Sequence, residues 1–234
     1  MTRDQVYGRR PVREALRGRR EVLELWATER ALAAEPWLGE GPRVQTKPDK
    51  DLSEAAGTRD HQGVVAWVEP YRYADAYELA AVEKPLIACL DQVTDPRNLG
   101  AVVRSAEGAG ATGVVVPAHG SALVTAAVAR ASAGAVEHMP VAVVPNLARY
   151  LNEIKRGDLW IYAASAEADQ DMWQADLTGG LALVFGSEGK GVRPLVRRAC
   201  DATIAIPLSG KVESLNVSVA AALLLYEARR RRDG

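Results

Sequence analysis

The feature that most constrains the fold is a series of short apolar runs that recurs through the later part of the chain. The runs lie at residues 86–90, 113–116, 141–144, 159–163, 181–185 and 202–206. Segments with helical spacing lie between most of them, for example at residues 99–109 and 147–155. Strands that alternate with helices form parallel sheets, and continuous apolar runs are typical of strands buried on both faces. The sequence therefore predicts an α/β fold with a parallel sheet.

The last segment, residues 215–232, predicts a long helix whose first half, VSVAAALLLY, is apolar almost all round. A helix of this kind has to be buried on several sides. In a chain of 234 residues we expect a subunit interface to bury part of it.

The chain before residue 86 is less regular. Residues 1–70 alternate short helical and strand-like pieces, with strands predicted at residues 22–27 and 63–68. Residues 71–85 are polar and lie between two prolines, which indicates a linker with one short helix. We therefore expect a small domain at residues 1–70, a linker at 71–85 and a larger domain at 86–234.

The net charge of −1 hides an uneven distribution. Residues 1–20 carry seven arginines and two acids, and residues 190–234 carry nine basic and four acidic groups, so each segment has a charge of +5. Residues 71–189 carry eight basic and fourteen acidic groups, which gives −6. Basic ends of this kind are typical either of local nucleic-acid binding or of solvated helix surfaces. Charge alone leaves both interpretations open.

Composition and spacing exclude several classes of protein. The chain is 48% hydrophobic and 25% charged, which is ordinary for a globular protein, and no apolar run is long enough to span a membrane. The N-terminus has no apolar core typical of a secretory signal, so we expect a cytoplasmic protein. Cys89 and Cys200 show no CxxC spacing, and His61, His119 and His138 show no metal-ligand spacing.

Two glycine-rich motifs match nucleotide-binding loops only in part. Gly108, Gly110 and Gly113 have GxGxxG spacing, but they follow a predicted helix and precede a strand. A dinucleotide-binding motif has the reverse order, so a helix end with a tight turn is the better interpretation. The motif GSEGKG at residues 186–191 is followed by Val192 and Arg193, not by the Lys-Ser or Lys-Thr pair of a phosphate-binding loop. A nicotinamide-dependent oxidoreductase and a nucleotide hydrolase are therefore disfavoured.

Polar residues gather in three loops that follow predicted strands. The first holds Asn98 near a helix start, where a capping side chain is expected, and Arg104 among small and apolar neighbours. The second holds Glu188 among glycines, and the third holds Ser214 and Asn216 at the start of the last helix. Ligands bind outside the carboxyl ends of strands in open α/β sheets, so the three loops form a candidate site.

Each of these features also has a purely structural interpretation. An ion pair with a nearby acid would explain Arg104, because buried charges are normally paired. A tight turn would explain the glycines, and helix capping would explain Ser214 or Asn216. Two capping residues beside a glycine loop are more than capping needs, which favours a functional role.

Three segments resemble the signature motifs of the SpoU (TrmH-type) RNA 2'-O-ribose methyltransferases of the SPOUT superfamily. They are NLGAVVRSAEGAGATGVVVP, LVFGSEGKGV and IPLSGKVESLNVSVAAALLLYE, in the order and spacing of the family. Two earlier segments, VYGRRPVREAL and HQGVVA, are similar to the small RNA-binding domain that precedes many SpoU catalytic domains. The arrangement is most similar to the RlmB-type 23S rRNA guanosine methyltransferases.

The resemblance implies a fold and a cofactor that spacing does not show. The catalytic domain of the family contains a deep trefoil knot, and the small domain has a ribosomal-protein-like fold. S-adenosylmethionine binds in the knot mostly through backbone groups, which fall on Gly186, Ile206 and Leu215 in this chain. Family members act on RNA as homodimers and require no metal.

The resemblance also implies a catalytic set, which comprises Asn98, Arg104, Glu188, Ser214 and Asn216. The reaction is attack of a ribose 2'-oxygen on a sulfonium methyl group, which needs proton removal or charge stabilisation. Because an arginine keeps its proton, we expect Arg104 to hold phosphate and ribose and to stabilise the oxyanion, while a phosphate or water takes the proton. Asn98 and Glu188 are expected to orient Arg104 and the knot loops. Ser214 and Asn216 are expected to position backbone and substrate.

The motifs leave the target RNA open. The front domain favours 23S rRNA, and a tRNA or another rRNA position is the alternative. An RNA-binding assembly factor that has lost catalysis is a third interpretation, and the intact catalytic set argues against it.

Overall fold

The computed structural model describes residues 2–233. Contacts along the chain divide it into two compact units. The N-terminal unit contains the residues up to Arg72 together with Val124–His138. The sheet unit contains Tyr73–Leu123 and the residues from Met139 onward.

The elements follow one another in a regular order. The strands are β1 (Asp4–Tyr7), β2 (Val22–Ala27), β3 (Val44–Thr46), β4 (Val64–Val68), β5 (Leu86–Asp91), β6 (Gly113–Pro117), β7 (Val141–Val144), β8 (Leu159–Ala164), β9 (Gln170–Asp171), β10 (Gly180–Gly186) and β11 (Ala202–Ala205). The helices are α1 (Arg9–Arg17), α2 (Glu29–Ala34), α3 (Asp49–Ala56), α4 (Ala76–Ala81), α5 (Pro96–Gly108), α6 (Ala126–Ala131), α7 (Leu147–Ile154), α8 (Pro194–Ala199) and α9 (Val217–Asp233). Short 3-10 turns lie at Pro36–Gly39 and Ala135–Glu137.

The N-terminal unit is built around a mixed sheet with the strand order β1-β4-β2-β3. β4 pairs antiparallel with β1 and β2, whereas β2 and β3 run parallel. β4 is buried along its whole length, so it forms the centre of this unit. On one side of α1, Pro11, Val12 and Ala15 are buried, and the opposite side faces solvent.

A buried ion pair fixes the segment Val124–His138 within the N-terminal unit. Arg20 donates to the two carboxylate oxygens of Glu137 at 2.9 and 2.5 Å, and both side chains are buried. A second polar contact joins His138 to Glu14 at 2.8 Å. The paired geometry of Arg20 and Glu137 gives this contact both strength and direction.

The sheet unit contains seven strands in the order β7-β6-β5-β10-β8-β11-β9. All the neighbouring strands in this order run parallel. β5, β6 and β10 are buried along almost their entire length, as expected for strands covered on both faces. The predicted α/β fold with a parallel sheet is confirmed.

Helices cover both faces of this sheet. α4, α7 and α8 pack on one face, where their buried residues join Ile87 and Cys89 of β5. α5 and α9 pack against each other and against β5, β6 and β10. Since alternate residues of a strand point to opposite faces, these two helices cover the second face. The short helix predicted between residues 71 and 85 is present as α4, and its residues Ala76, Leu79 and Ala80 are buried in the core.

The GxGxxG motif forms the turn that the sequence indicates. α5 ends at Gly108, Gly110 has a positive φ of 69°, and Gly113 begins β6. The order is helix, turn and strand, which confirms that these glycines do not form a dinucleotide-binding loop.

The long C-terminal helix is present as α9, but the chain buries only one side of it. The buried residues are Val217, Ala221, Leu224, Leu225 and Ala228. Val219, Leu223 and Tyr226 lie on another side and are 47%, 42% and 52% exposed. We expected burial of this helix on several sides, and a single copy of the chain provides only part of that burial.

The trefoil knot and the domain boundaries stay predictions. None of the helices within residues 2–233 is long and apolar enough to cross a membrane.

Candidate active site

The carboxyl ends of β5, β10 and β11 carry the three loops in which the polar residues gather. A cavity of about 930 Å³ opens beside the second and third loops. Its lining includes Gly186 and Glu188 after β10, and Ile206, Ser214 and Leu215 after β11. This volume is in the range of small-molecule and cofactor sites.

A hydrogen-bonded network, Asn98–Glu188–Asn216, joins the three loops. Asn98 Nδ2 donates to Glu188 Oε1 at 3.1 Å, and Asn216 Nδ2 donates to the same oxygen at 2.5 Å. Asn216 Nδ2 also donates to Asn98 Oδ1 at 3.1 Å. The structure thus brings together three of the five residues predicted to be catalytic, from loops far apart in the sequence.

The helix caps explain why two asparagines are available for this network. Asp95, and not Asn98, caps α5: its carboxylate accepts from the backbone N–H of Arg97 at 2.8 Å. The Arg97 side chain also bonds this carboxylate and holds the pKa of Asp95 below its usual range. Asn216 caps α9, since its Oδ1 accepts from the backbone N–H and the hydroxyl of Ser218 at 2.9 and 2.6 Å. Asn216 therefore uses its oxygen for the helix and its nitrogen for the network.

Arg104 and Ser214 lie outside the network. Arg104 is exposed on α5, on the side opposite the buried residues Leu99, Val103 and Ala106. Among residues 2–233 its side chain has no hydrogen-bond or ion-pair partner, so the alternative of a structural ion pair is wrong. The described contacts do not link it to Asn98 or Glu188. Ser214 is exposed and lines the cavity.

All three residues predicted to bind the cofactor line the cavity. Gly186 is required by a close approach, because a Cβ there would lie 1.9 Å from the carbonyl carbon of Gly191. The loop closes on itself through a hydrogen bond from Gly191 N to Ser187 O at 2.9 Å. The cavity wall is therefore bare backbone on this side, with apolar Ile206 and Leu215 on another. These features fit a cofactor held mainly by backbone groups, as the resemblance implies.

Sequence reasoning missed Asp91 and Arg193, which lie beside the site. Asp91 ends β5, and its side chain is completely buried, with 0% exposure. Arg193 donates from Nε and Nη2 to Asp91 Oδ1 at 2.8 and 2.7 Å. The available signal was a carboxylate directly after a buried apolar run, since such a charge needs a partner.

Thiol chemistry does not fit this region. Burial raises the pKa of Cys200 to about 12 and also raises the pKa of Cys89. Both thiols are therefore protonated at neutral pH and poorly nucleophilic.

His61 is buried and bonded to Ser53 and Gly63 at 2.9 and 3.0 Å, which gives it a structural role. No group of three His, Cys, Asp or Glu residues within the described range could hold a metal ion.

Comparison with known families matches both parts of the chain. The SpoU rRNA Methylase family matches residues 85–226. A second family, RNA 2'-O ribose methyltransferase substrate binding, matches residues 5–74.

Individual proteins give the same result. The chain is 43% identical over 241 residues to YacO of Bacillus subtilis strain 168, whose name places it in the TrmH family of tRNA/rRNA methyltransferases; the match covers 98% of this chain and 96% of YacO. It is 43% identical over 196 residues to the 23S rRNA (guanosine-2'-O-)-methyltransferase RlmB of Shewanella oneidensis, covering 82% of this chain and 80% of RlmB. The crystal structure of the SpoU methyltransferase AviRb from Streptomyces viridochromogenes with AdoMet superposes with a TM-score of 0.84 at 28% identity, covering 99% and 91% of the two chains. The chain therefore belongs to the SpoU rRNA methylase family of RNA 2'-O-ribose methyltransferases.

Proposed function

We propose that this protein transfers a methyl group from S-adenosylmethionine to the ribose 2'-oxygen of a guanosine in 23S rRNA. The observation that carries the proposal is the Asn98–Glu188–Asn216 network at the rim of the backbone-lined cavity. Both family matches and the RlmB relatives support the target class.

The network holds the three loops in one arrangement. Asn98 and Asn216 share one oxygen of Glu188, so a shift of any loop breaks at least one of the hydrogen bonds. Methyl transfer needs the reacting atoms in line, and fixed loops supply that geometry. S-adenosylmethionine supplies the reactive methyl group when it is bound.

Arg104 is the group that we assign to the RNA. Its guanidinium has five N–H donors and is exposed without a partner among the described residues. It can therefore hold an RNA phosphate next to the reacting ribose and stabilise negative charge on the 2'-oxygen. The proton of the hydroxyl leaves to the phosphate or to water. Ser214 lies on the cavity wall, so we assign it to the positioning of the substrate.

The N-terminal unit offers a second surface for RNA, the outer side of α1. Arg10, Arg13 and Arg17 are exposed at spacings of three and four residues, so they lie on one side of the helix. Arg10 and Arg13 have no hydrogen-bond or ion-pair partner within residues 2–233, and Arg17 has only a 3.4 Å contact with Glu14. A row of exposed guanidinium groups fits the phosphates of an RNA backbone.

A second copy of the chain is the partner that we propose for the exposed side of α9. Val219, Leu223 and Tyr226 form an apolar stripe there, and α9 packs directly against α5, which carries Arg104. An apolar stripe is normally covered in a stable assembly. On this proposal the protein is a homodimer, and we expect Leu223→Glu to convert it to a monomer in size-exclusion chromatography with light scattering. A wild-type monomer at micromolar concentration contradicts this assignment.

The free cysteines, Cys89 and Cys200, fit a reducing cytoplasm.

The proposed function is tested by incubating the protein with radiolabelled S-adenosylmethionine and separate 23S rRNA, 16S rRNA and tRNA substrates. The methylated nucleotide is then mapped by mass spectrometry of RNase fragments. We expect one 2'-O-methylguanosine in 23S rRNA. Methylation of tRNA or of 16S rRNA instead contradicts the target, and cofactor binding without methylation of any RNA indicates an assembly factor. Arg104→Ala, with retained cofactor binding, serves as the inactive control.

A further inference from the structure

We propose that Asp91 and Arg193 are a positioning pair that holds the glycine loop, residues 186–192, in the shape needed for cofactor binding and methyl transfer. The inference rests on the proposed function. Neither residue is among the cavity-lining residues, so the pair acts through the loop that does line the cavity.

Both ends of the glycine loop meet at Asp91. Where the loop leaves β10, Gly186 is in register with Asp91 on the neighbouring strand β5. Where the loop ends, the backbone N–H of Arg193 donates to Asp91 Oδ2 at 2.8 Å. The Arg193 side chain adds Nε at 2.8 Å and Nη2 at 2.7 Å, both to Oδ1. One carboxylate thus anchors the return point of the loop next to its starting point.

Burying the charged side chain of Asp91 costs desolvation free energy. The other residues of β5 are apolar and equally buried, so an apolar side chain would fit the position without desolvating a charge. A buried carboxylate is tolerated only when its oxygens are bonded, and here both oxygens accept from Arg193. The directional hydrogen bonds of the pair fix the path of the backbone at Arg193, whereas apolar contacts, which have no preferred direction, would not.

The glycine loop needs such an anchor because its own residues are permissive. Gly189 and Gly191 have positive φ values of 78° and 65°, and glycine loses more conformational freedom on ordering than other residues. Glu188 lies between Gly186 and Gly189 and must reach both Asn98 and Asn216. If the loop were not held at Arg193, the Glu188 side chain would sample many positions. The part of the cavity wall that the loop forms would then lose its shape.

The test uses the full chain with Asp91→Asn, Arg193→Ala and Arg193→Lys. Calorimetry measures the affinity for S-adenosylmethionine, and hydrogen exchange with mass spectrometry measures the protection of residues 187–192. We expect Asp91→Asn and Arg193→Ala to weaken cofactor binding about tenfold or more, as for the loss of a hydrogen bond to a charged group. Exchange in the loop should rise in both variants. Arg193→Lys, which keeps the charge and the backbone donor, should recover part of the affinity.

The matched control is Glu137→Gln, which breaks another buried carboxylate–arginine pair in the N-terminal unit. It should leave cofactor affinity and loop exchange as in the wild type. The proposal is overturned if Asp91→Asn keeps wild-type affinity and loop protection while its melting temperature falls, or if Glu137→Gln weakens cofactor binding equally. Cofactor affinity and hydrogen exchange are both measured without RNA. A wild-type protein that methylates no RNA would therefore refute the proposed function, while these two measurements would still test the role of the Asp91–Arg193 pair.

Discussion

Asn216 performs two tasks with two different atoms, and substitutions can separate them. Its Oδ1 caps α9 through Ser218, and its Nδ2 donates to Glu188 and Asn98. Asn216→Ala removes both functions. Asn216→Ser keeps a hydroxyl that can cap the helix but removes the amide nitrogen that donates to Glu188 and Asn98. We therefore expect the two variants to differ in stability and to agree in activity.

The two contributions have different sizes. Loss of a capping side chain costs about 0.5–2 kcal/mol, and each kcal/mol lowers the melting temperature of a chain of this size by about 2–4 °C. Hydrogen bonds to charged groups contribute about 1.5–3 kcal/mol. Because this network is exposed, we take the lower end for Asn216 Nδ2 and Glu188, which corresponds to about a tenfold loss of rate. Asn216→Ser should thus lose about tenfold in rate and little stability, whereas Asn216→Ala should lose both.

Single-turnover methyl transfer at saturating cofactor and RNA measures the rate, and thermal unfolding measures the stability. Asn146→Ala is the matched control, because Asn146 caps α7 by accepting from Arg149 N at 3.0 Å and is not part of the network. It should lower the melting temperature as much as Asn216→Ala and leave the rate unchanged. A wild-type rate for Asn216→Ser would refute the role of the network, and so would a tenfold loss for Asn146→Ala.

The remaining predictions concern charge. Arg104→Ala should lower methyl transfer by about 10²–10³-fold with unchanged cofactor affinity, as for loss of a group that stabilises developing charge; wild-type turnover would show that the assignment is wrong. Replacing Arg10, Arg13 and Arg17 by alanine should weaken RNA binding and reduce the slope of log Kd against log salt by about 2–3. An unchanged slope would place the phosphate contacts elsewhere. Hydrogen bonds from the arginines of the last helical turn lower the pKa of Glu227 from its ordinary 4.5 to about 2. This stabilisation is complete above pH 4.5 and is lost as the pH falls towards 2, so Glu227→Gln should flatten the unfolding free energy in that window, and an unchanged curve in acid denaturation would contradict it.

The large-scale fold could be predicted because the sheet strands carry a strong and local signal. β5, β6 and β10 are continuous apolar runs, and the sequence predicts each of them to within one residue of its observed bounds. β1 and β3 were missed, because they are short strands at sheet edges with few buried residues. Short helices such as α6 and α8 depend on tertiary packing more than on their own sequence, so periodicity cannot find them.

The candidate site could be predicted only at the level of its loops. The rule that ligands bind beyond the carboxyl ends of parallel strands brings Asn98, Glu188 and Asn216 to one edge. That rule does not say which side chains bond to each other, because this depends on loop conformations set by glycines with positive φ. Capping chemistry misassigns Asn98 for a different reason, because Asp95 three residues earlier is equally suitable as a cap.

The number of charged residues in a segment does not show how many of them are free to bind RNA, whereas the structure does. Seven arginines within residues 1–20 look like one basic segment, but carboxylates elsewhere in the N-terminal unit neutralise several of them. Arg3 pairs with Glu24 at 2.7 Å and Arg9 with Glu35 at 2.9 Å, and Arg20 is buried against Glu137. These arginines stabilise the unit and have little charge left to offer a phosphate. Of these seven arginines, Arg10, Arg13 and Arg17 on the outer side of α1 and the exposed Arg19 remain for RNA. We expect such exposed groups, together with Arg104, to determine the salt dependence of binding more than the net charge of the chain does.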